Sequence, residues 1–308
     1  MPSVIDNVDK KILETVADMQ EIPSGAYNIR KNGQAVGRQS TENIEIRPKE
    51  DKPGIDIIVK PGTKGETVHI PVILTIEGED EVYNTFDIGE GADVLIVAGC
   101  GIHNCGSKRA QHNGIHDFIV RKGAKVRYVE KHYGEGEGTG ERILNPTTLV
   151  EIEEDGRVEM EMVQIRGVDS TQRDTRAKLH KNTFLLITER MLTHGKQTAE
   201  SKITVELFGE NSSTQIISRS VAQDTSEQIF YPRVVGYTDC RGHVQCDAII
   251  MHDAKVRSIP EISAQHADAQ LVHEAAIGKI AGEQLIKLMS LGLSEKEAED
   301  KILEGFLK

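Results

Sequence analysis

Three short segments of the chain repeat one pattern at a constant interval: GADVLIVA (91–98), GAKVRYVE (123–130) and DGRVEMEM (155–162). Each begins with residues that suit a tight bend and continues into a run that is typical of a β-strand. The interval is 32 residues, and a related segment, DAKV (253–256), recurs out of step. Such a period is typical of the successive coils of a solenoid, in which each strand stacks on the one before it.

Short apolar runs of the same kind continue on both sides of the repeat, from Asp56 to about Ile262. They are rich in β-branched side chains, and Gly, Asp or Asn lies between them. No helical pattern of about 10–15 residues interrupts them, which argues against a doubly wound α/β sheet. The pattern therefore predicts a mainly β protein built as a β-helix, with a multistranded β-sandwich as the alternative.

The composition limits the function before any motif is considered. The net charge is −12, from 37 Lys and Arg against 49 Asp and Glu, which argues against nucleic acid and anionic lipid as partners. Aromatic residues make up 4% and Trp is absent, which suits flat layers of Val, Ile and Leu. No apolar run approaches about 18 residues, and residues 1–19 lack the features of a secretory signal. We therefore expect a cytoplasmic protein without a membrane span.

The amino-terminal segment shows the period of an amphipathic helix. Apolar side chains recur at helical spacing over residues 6–19, with Asp6 or Asn7 as the N-cap. Residues 21–54 are polar, with scattered Gly and Pro, and predict irregular strands. This helix is expected to be a packing arm or a contact for a partner.

The carboxyl-terminal segment is also predicted to be helical. The helical period runs from Ala269 to Met289, and Ser294 begins a second helix, with Glu297 completing a capping box. These helices would cap the solenoid or offer a docking surface. The expected domains are an N-terminal helical and irregular segment (1–54), a β-helix core (55–264) and a C-terminal helical segment (265–308).

The four cysteines fall into two closely spaced pairs, Cys100 with Cys105 and Cys240 with Cys246. In a reducing compartment such pairs indicate metal or sulfur chemistry, although a free cysteine is often a small buried hydrophobe. On one regular strand Cys240 and Cys246 would point the same way, roughly 20 Å apart. A tight turn at residues 241–243 would instead bring the two thiols together, so shared sulfur chemistry and a structural role are both open.

The first pair has the composition of a metal site. Cys100-x₂-His103-x-Cys105 is followed by His112 and His116, although this spacing matches no standard zinc module. The glycine after each cysteine would let the backbone turn around a bound ion. The segment is a candidate for a second metal or sulfur site or for a relay through the solenoid interior. The alternative is a strand corner with solvated histidines.

The second pair leads to a set that combines thiolate, imidazole and carboxylate: Cys246, His273 and Glu274. An iron bound at such a set would have thiolate as its soft ligand and imidazole or carboxylate at a labile, exchangeable position. On the residues alone, the start of a helix, where Glu is electrostatically favoured, is the stronger interpretation of His273 and Glu274.

The same stretch resembles a known family. The runs QCDAIIM (245–251), PEI (260–262), HEAAIGKIAGEQL (273–285) and GLSEKEAEDKILEGF (292–306) are similar to the carboxyl-terminal signature of the SufB/SufD proteins. Those proteins are the scaffold subunits of the SUF iron–sulfur cluster assembly machinery. The resemblance is specific from Cys240 onward and general before it, and this chain looks like a short, minimal version of the scaffold.

The resemblance implies a right-handed parallel β-helix with helical termini. It also implies a transient iron–sulfur cluster at a subunit interface, with Cys246, His273 and Glu274 as ligands. The expected partners are a SufC-like ATPase on the C-terminal helices, a cysteine-desulfurase-type sulfur donor and apo-protein acceptors. Because one chain carries both Cys246 and Glu274, we expect a homodimeric scaffold that is not itself an enzyme. Whether a flavin participates is not decided by the sequence.

Two other functions are alternatives. A β-helix enzyme acting on polysaccharide would need aromatic subsites, and six Tyr, six Phe and no Trp make that assignment weak. A zinc protein centred on Cys100–His116 is the second alternative. The glycine-rich stretch 134–142 lacks the Lys-Ser/Thr ending of a phosphate loop, so ATP would have to be hydrolysed by a partner.

Overall fold

The structure is a computed structural model that describes residues 6–307. Residues 1–5 and 308 lie outside the described residues. They belong to the two predicted end segments, and residues 1–5 are also part of the stretch in which a secretory signal was sought. Parallel strands build a β-solenoid of about eight turns. This confirms the mainly β fold and the β-helix that the repeat predicted.

The described residues contain one amino-terminal helix, then the strands, then two helices. Helix α1 spans Asn7–Ala17. The strands follow in chain order: β1 (Ala26–Lys31), β2 (Gln34–Gln39), β3 (Ile44–Pro48), β4 (Gly54–Val59), β5 (Lys64–Leu74), β6 (Gly78–Ile88), β7 (Asp93–His103), β8 (Ala110–Val120), β9 (Lys125–Glu135), β10 (Arg142–Leu144), β11 (Thr147–Ile152), β12 (Arg157–Arg166), β13 (Ser170–Leu179), β14 (Phe184–Thr193), β15 (Thr198–Leu207), β16 (Ser212–Ala222), β17 (Glu227–Gly236), β18 (Cys240–Ile250), β19 (Lys255–Ser258), β20 (Glu261–Ala264) and β21 (Gln270–Gly278).

Two sheets form the walls of the solenoid, because along most of the chain successive strands alternate between them. The order in wall A is β2-β1-β5-β7-β9-β12-β14-β16-β18-β21. Wall B runs β19-β17-β15-β13-β10-β8-β6-β4-β3, with β11 between β8 and β13 and β20 beside β17. Neighbours are parallel except for the antiparallel pairs β1–β2 and β3–β4 at the amino-terminal end. The strands predicted within residues 21–54 therefore extend both walls.

The 32-residue repeat corresponds to stacked positions on wall A. Val94 on β7 pairs with Val126 on β9, which pairs with Val158 on β12. The corner before each of these strands holds a residue with positive φ, and the series continues along the wall as Gly91, Gly123, Asp155, Asn182 and Asn211. Glycine, asparagine and aspartate adopt this conformation most readily, which explains why the repeat begins with them.

Apolar side chains fill the space between the walls. Ile57, Phe86, Phe118 and Val205 are completely buried there, and the Phe86 and Phe118 rings stack with centroids 4.2 Å apart. Each such side chain contributes roughly 1.5–3 kcal/mol through its burial. Stacked branched aliphatics and a few rings therefore hold the coils together, as the composition predicted.

Helix α1 packs against the outside of wall A. Asp6 is its N-cap and forms a capping box with Asp9, as one of the two predicted caps. A Cβ on Gly101 would lie 2.2 Å from Ile12 Cγ2, so Gly101 allows the helix to approach β7 closely. The interpretation of Gly101 as a bend around an ion is wrong, because Gly101 lies inside a regular strand under α1.

The helix predicted from Ala269 to Met289 is wrong over its first half. Residues Gln270–Gly278 form β21, which pairs with β18 and extends wall A. The open edge of β18 offers backbone hydrogen bonds to this segment, while Gly278 and Gly282 weaken a continuous helix. Helix α2 spans only Gly282–Ser290 and α3 spans Glu295–Phe306, and the predicted capping box of Ser294 and Glu297 is present. Within residues 6–307, no helix is long and apolar enough to cross a bilayer.

Candidate functional site

Cys246 and His273 meet inside the last coil of the solenoid. Cys246 faces inward from β18 and is 4% exposed, and His273 lies on the adjacent strand β21. The Sγ atom lies 3.4 Å from His273 Nε2 and 3.4 Å from the hydroxyl of Ser258 on wall B. The structure therefore brings together two of the three predicted ligands.

Glu274, the third predicted ligand, lies on the other side of the wall. Successive residues of a strand point to opposite faces, so Glu274 points outward when His273 points inward. Its Oε1 atom lies 2.7 Å from Nε2 of His243, which is on the outer face of β18. Because β21 is a strand and not a helix, the interpretation of His273 and Glu274 as a helix start is wrong.

Burial keeps the inner pair neutral. It raises the pKa of the Cys246 thiol to about 11; the hydrogen bond from Ser258 opposes this, and the negative charge of Glu189 adds to it. Burial also lowers the pKa of His273. At neutral pH the pair is therefore a thiol beside a neutral imidazole, and a metal ion bound there would have to displace the thiol proton.

Cys240 does not approach Cys246. Both lie on the single strand β18, six residues apart on the same inward face. The turn considered at residues 241–243 is absent because those residues pair continuously with β16 and β21. Burial raises the pKa of Cys240, which packs among the apolar core. Its surroundings fit the structural role that the sequence left open.

The segment from Cys100 to His116 is divided between the interior and the surface. Cys100, His112 and His116 face inward and are buried, whereas Cys105 is exposed beyond the end of β7, beside His103. The set therefore does not converge on one point. Across residues 6–307, no three His, Cys, Asp or Glu side chains are arranged to hold a metal ion.

The inward members of that segment line a cavity of about 20 Å³, enough for one water molecule. Its wall includes Cys100, Asn84, His112, His116 and His132. Within the described residues, Nδ1 of His116 and Oδ1 of Asn84 have no hydrogen-bond partner. Both atoms belong to residues that line the cavity. Burial lowers the pKa of His116 to about 4, so that imidazole is neutral.

A column of buried polar side chains connects the region of this cavity to Cys246. Glu130, Glu189, Ser218 and Cys246 occupy one register line across wall A, with Met162 between the two glutamates. Arg173 reaches in from wall B, with Nη1 2.6 Å from Glu130 and Nε 3.5 Å from Glu189, and Ser218 donates to Glu189 at 3.2 Å. Burial opposes the charge of Glu130, but His132 and Arg173 hold its pKa well below the usual range.

This column was not predicted from the sequence. The sequence feature that indicates it is a charged residue at a strand position where the alternation of apolar and polar residues predicts a buried apolar one. Glu130 within GAKVRYVE is such a residue. Asp80 is a second example, because it is buried between Arg30 and His112 at 2.6 and 3.0 Å. Burial alone would raise the pKa of Asp80, but those two hydrogen-bonding partners lower it.

The exposed members of the first cysteine segment form a group of their own. Cys105 Sγ lies 3.0 Å from Nε2 of His103, whose Nδ1 lies 3.3 Å from Oε1 of Glu135. Glu135 was not among the predicted site residues. It stacks directly on His103 in the register of β7 and β9, exactly one 32-residue repeat later, so the repeat contained the signal.

The glycine-rich stretch 134–142 packs backbone against backbone on the loop of Cys105. A Cβ on Gly136 would lie 2.2 Å from the carbonyl oxygen of Asn104, and one on Gly140 would lie 1.9 Å from that of Lys108. The glycines therefore allow close stacking of two loops. This supports the interpretation that the stretch is not a nucleotide site.

Apolar side chains are exposed at the carboxyl-terminal end. On and beside α2, which has no buried residue, Ile286 is 67% and Leu291 is 76% exposed. On the last coil, Val272 and Ile277 of β21 are also exposed, as is Ile262 of β20. Helix α3 is anchored to the solenoid by Leu303, which packs with Val221 and Ile249.

Comparison with known proteins gives a consistent family. The profile described as "SUF system FeS cluster assembly, SufBD core domain" matches residues 82–306. An iron-sulfur cluster assembly SufBD family protein of Archaeoglobus fulgidus is 31% identical over 88% of this chain and 72% of its own length. Proteins with the same family name from Methanocaldococcus jannaschii and Pyrococcus horikoshii are 29% and 25% identical, over 96% and 88% of this chain and 96% and 83% of their own lengths.

Proposed function

Because the chain belongs to the SufBD family of iron–sulfur cluster assembly proteins, we propose that it is a scaffold on which a cluster is built and then released. The observation that carries this proposal is the 3.4 Å contact between Cys246 Sγ and His273 Nε2 on the last coil. A thiolate holds iron firmly, while an imidazole is an exchangeable ligand. Family membership also favours cluster assembly over the polysaccharide enzyme and the zinc protein.

The second part of the proposal is a homodimer joined through the last coils. An iron–sulfur cluster is held by four protein ligands in all, and one chain offers one thiol and one imidazole at this place. Strand β21 ends wall A and carries Val272 and Ile277, which are 55% and 40% exposed. Glu274 faces outward from the same strand, so a second copy docked there would lie within its reach.

The third part is a SufC-like ATPase docked on α2 and α3. The exposed apolar side chains Ile286, Met289 and Leu291 support such a surface. The ATPase would hydrolyse ATP and rearrange the interface between the two scaffold copies. A cysteine-desulfurase-type donor would supply sulfur, and apo-proteins would accept the finished cluster. The four cysteines are free thiols, which fits the reducing cytoplasm.

Anaerobic reconstitution tests the cluster site. With ferrous iron and inorganic sulfide, the wild-type chain should develop the visible absorbance of a bound cluster. Cys246→Ser should lower the yield by at least about tenfold, because even the loss of a group that only hydrogen-bonds to a metal ligand costs roughly 10–100-fold in metal affinity. Cys240→Ser is the matched control, since Cys240 faces inward from the same strand. An unchanged yield in Cys246→Ser would overturn the proposed site.

Charge substitutions test the two docking surfaces separately. Val272→Asp with Ile277→Asp should convert a dimer to a monomer in light scattering and reduce the cluster yield. Leu291→Asp should prevent co-purification of the ATPase and leave the dimer intact. Ile76→Asp is the control for charge alone, because Ile76 is 55% exposed in the loop between β5 and β6, outside both surfaces. If the protein with both β21 substitutions remained a dimer, the dimer interface would lie elsewhere.

A further inference from the structure

Cys105, His103 and Glu135 form a hydrogen-bonded series just beyond the end of β7, beside β9. Cys105 Sγ lies 3.0 Å from Nε2 of His103, and Nδ1 of His103 lies 3.3 Å from Oε1 of Glu135. Lys11 of α1 and the Tyr133 hydroxyl, at 2.8 Å, hold Glu135 in turn. In such a series the carboxylate keeps a proton on Nδ1, so that Nε2 can accept the proton of the thiol.

Glu135 is ionised at neutral pH. Its partial burial opposes the charge, but the hydrogen bonds from Lys11 and Tyr133 outweigh burial and lower the pKa of Glu135. An anion beside Nδ1 favours the imidazolium form of His103, which arises when Nε2 takes up the thiol proton. The series therefore favours a thiolate paired with an imidazolium, which is the nucleophilic form of a cysteine.

Cys105 is the accessible thiol of the chain, and the other three thiols are placed where they cannot pair with it. Cys105 is exposed, whereas Cys100, Cys240 and Cys246 are buried. Cys100 faces the interior from β7, and the other two lie on β18, five strands further along wall A. A disulfide within the folded chain would require the solenoid to open. An oxidised Cys105 is therefore bonded to a thiol from another molecule.

A cleft of about 550 Å³ opens beside Cys105, between α1 and the glycine-rich stretch. A cleft of this volume suits a small molecule. Four of the ionisable groups on its wall form two neutral pairs: Lys11 with Glu135, and His103 with Cys105 after proton transfer. Glu137 adds one further negative charge to the wall, so the cleft favours a cation over an anion.

The backbone around Cys105 argues against acyl transfer as the chemistry of this thiol. Acyl transfer needs free backbone amides to bind the oxyanion that develops on the substrate. The three amides that follow the cysteine are already occupied: Gly106 donates to Asn104 Oδ1, and Ser107 and Lys108 both donate to Glu77 Oε1. Exchange with a disulfide creates no oxyanion, and its rate depends on the thiolate and on the leaving thiol.

We infer that Cys105 is a site of reversible S-thiolation, at which a small, positively charged disulfide forms a mixed disulfide with the chain. His103 is the base and Glu135 is the positioning residue. The Cys105 thiolate attacks one sulfur of R–S–S–R, the sulfur–sulfur bond breaks, and R–S⁻ leaves. The proton that His103 took from the thiol passes to R–S⁻, so the products are Cys105–S–S–R and R–SH. The disulfide is the oxidant: Cys105 is oxidised and one half of the disulfide is reduced.

The modification is reversed by a thiol from solution. That thiol gives its proton to His103 and attacks the mixed disulfide, and Cys105 leaves as the thiolate that the imidazolium stabilises. Because no second cysteine of the chain competes for this step, the modified fraction follows the ratio of disulfide to thiol in the surroundings. The inference is independent of the proposed cluster site, since Cys105 is not one of its ligands.

The first measurement gives the place and the rate of modification. The full chain is treated with cystamine at pH 7, and adducts are followed by intact-mass analysis and located by peptide mapping. Folded Cys105 should react at least about fivefold faster than Cys105 in urea, because a thiol of ordinary pKa is only a few per cent ionised at pH 7. Cys105→Ser should lose the adduct, and Cys240→Ser should keep it. A first adduct on a buried cysteine, or equal rates in the folded and denatured chain, would overturn the inference.

Variants of the other two residues separate chemistry from folding. His103→Gln, which keeps the thiol, should lower the rate of the folded chain at pH 7 to about that of the denatured chain, because the general base is lost. The difference from wild type should shrink at pH 9, where hydroxide ionises thiols without help from an imidazole. Glu135→Gln should show the same pH-dependent deficit on a smaller scale. A deficit of equal size at both pH values would contradict the assigned roles.

Two disulfides of opposite charge test the preference of the cleft. Cystamine is a dication, and dithiodipropionate is a dianion. The ratio of their rates in the folded chain is divided by the ratio in the denatured chain, which cancels the difference between their leaving thiols. Wild type should then favour cystamine by about threefold or more at low salt, because of the charge of Glu137.

Glu137→Gln should reduce that preference. The matched control is Glu210→Gln, which removes an exposed carboxylate in the loop between β15 and β16, outside the cleft, and should leave the preference unchanged. Faster reaction with the anion, or a preference that Glu137→Gln leaves intact, would overturn the assignment of a positively charged disulfide.

Discussion

Within residues 6–307 a thiol contacts an imidazole twice, and the two pairs differ in what surrounds them. Cys246 and His273 are 3.4 Å apart inside the last coil, whereas Cys105 and His103 are 3.0 Å apart at the surface. Between β7 and β18 there are five strand spacings of wall A, roughly 24 Å. The same two residue types therefore occupy two environments that are well separated along the stack.

Each pair is supported by a carboxylate that contacts a cation. Behind the inner pair, Glu189 lies 3.5 Å from the buried Arg173; behind the outer pair, Glu135 is bonded to the largely exposed Lys11. In the inner site the carboxylate lies near the thiol and disfavours thiolate, while in the outer site it touches the imidazole and favours proton transfer. The difference teaches that burial and the position of the acid, rather than the thiol–imidazole contact itself, set the inner thiol apart from the outer one.

The largest expected effect comes from removing the inner cation. Arg173→Met should lower the free energy of unfolding by roughly 3–5 kcal/mol, because Glu130 and Glu189 would lose the buried cation that compensates their charges, although they would keep their contacts with His132 and Ser218. That corresponds to two orders of magnitude or more in the unfolding equilibrium. Chemical denaturation with urea measures it.

The control for that substitution removes the charges together. Arg173→Met combined with Glu130→Leu and Glu189→Leu should recover most of the lost stability, because an apolar core needs no compensating charge. If the triple variant were as unstable as Arg173→Met alone, packing volume rather than charge would explain the loss.

Thiol alkylation compares the two pairs directly. In the folded protein at pH 7, iodoacetamide should modify Cys105 at least about a hundredfold faster than Cys246, because a pKa near 11 leaves roughly one hundredth of the ordinary thiolate. Mass mapping against time measures both rates in one sample. In denaturant the two rates should become similar, and a folded protein in which they already agree would contradict the assigned environments.

The pH dependence of metal binding sharpens the inner half of the comparison. The pKa of Cys246 lies above the working range, so each bound ion must release the thiol proton, and affinity should rise about tenfold per pH unit between pH 6.5 and 8.5. Cobalt(II) can be followed by its thiolate absorption. Cys246→Ser should abolish that absorption band, and a band with no pH dependence would mean that the thiol is already ionised.

The fold could be predicted from the sequence because its signal is repetitive. The alternation of apolar residues and the 32-residue interval both follow from stacked coils, and the register Val94–Val126–Val158 matches them. The segment 270–278 was mistaken for a helix because its backbone pairs with an edge strand that is distant in sequence. The spacing of its apolar residues does not indicate that an edge strand is available for pairing.

The candidate site was predictable only in part. Cys246 and His273 were found as residue types and by family resemblance, whereas the separation of Glu274 onto the outer face required knowing that β21 is a strand. The positions of Glu135 and Glu130 could have been predicted from the sequence, because the repeat gives the stacking partner of each wall A residue. The position of Arg173 could not, because contacts between the two walls depend on side-chain length and on the separation of the walls.

The smallest expected effect comes from removing the outer cation, and it completes the comparison with Arg173. Lys11 is largely exposed, so Lys11→Met should leave the melting temperature unchanged within error, because a solvated ion pair contributes little to stability. Loss of Lys11 raises the pKa of Glu135 toward its ordinary value, which still leaves the carboxylate charged at pH 7. Alkylation of Cys105 should therefore change by less than about threefold at pH 7 and fall more clearly near pH 5, where Glu135 begins to take up a proton. If Lys11→Met destabilised the chain as strongly as Arg173→Met, the two cations would be equivalent, and burial would not be what separates the inner pair from the outer one.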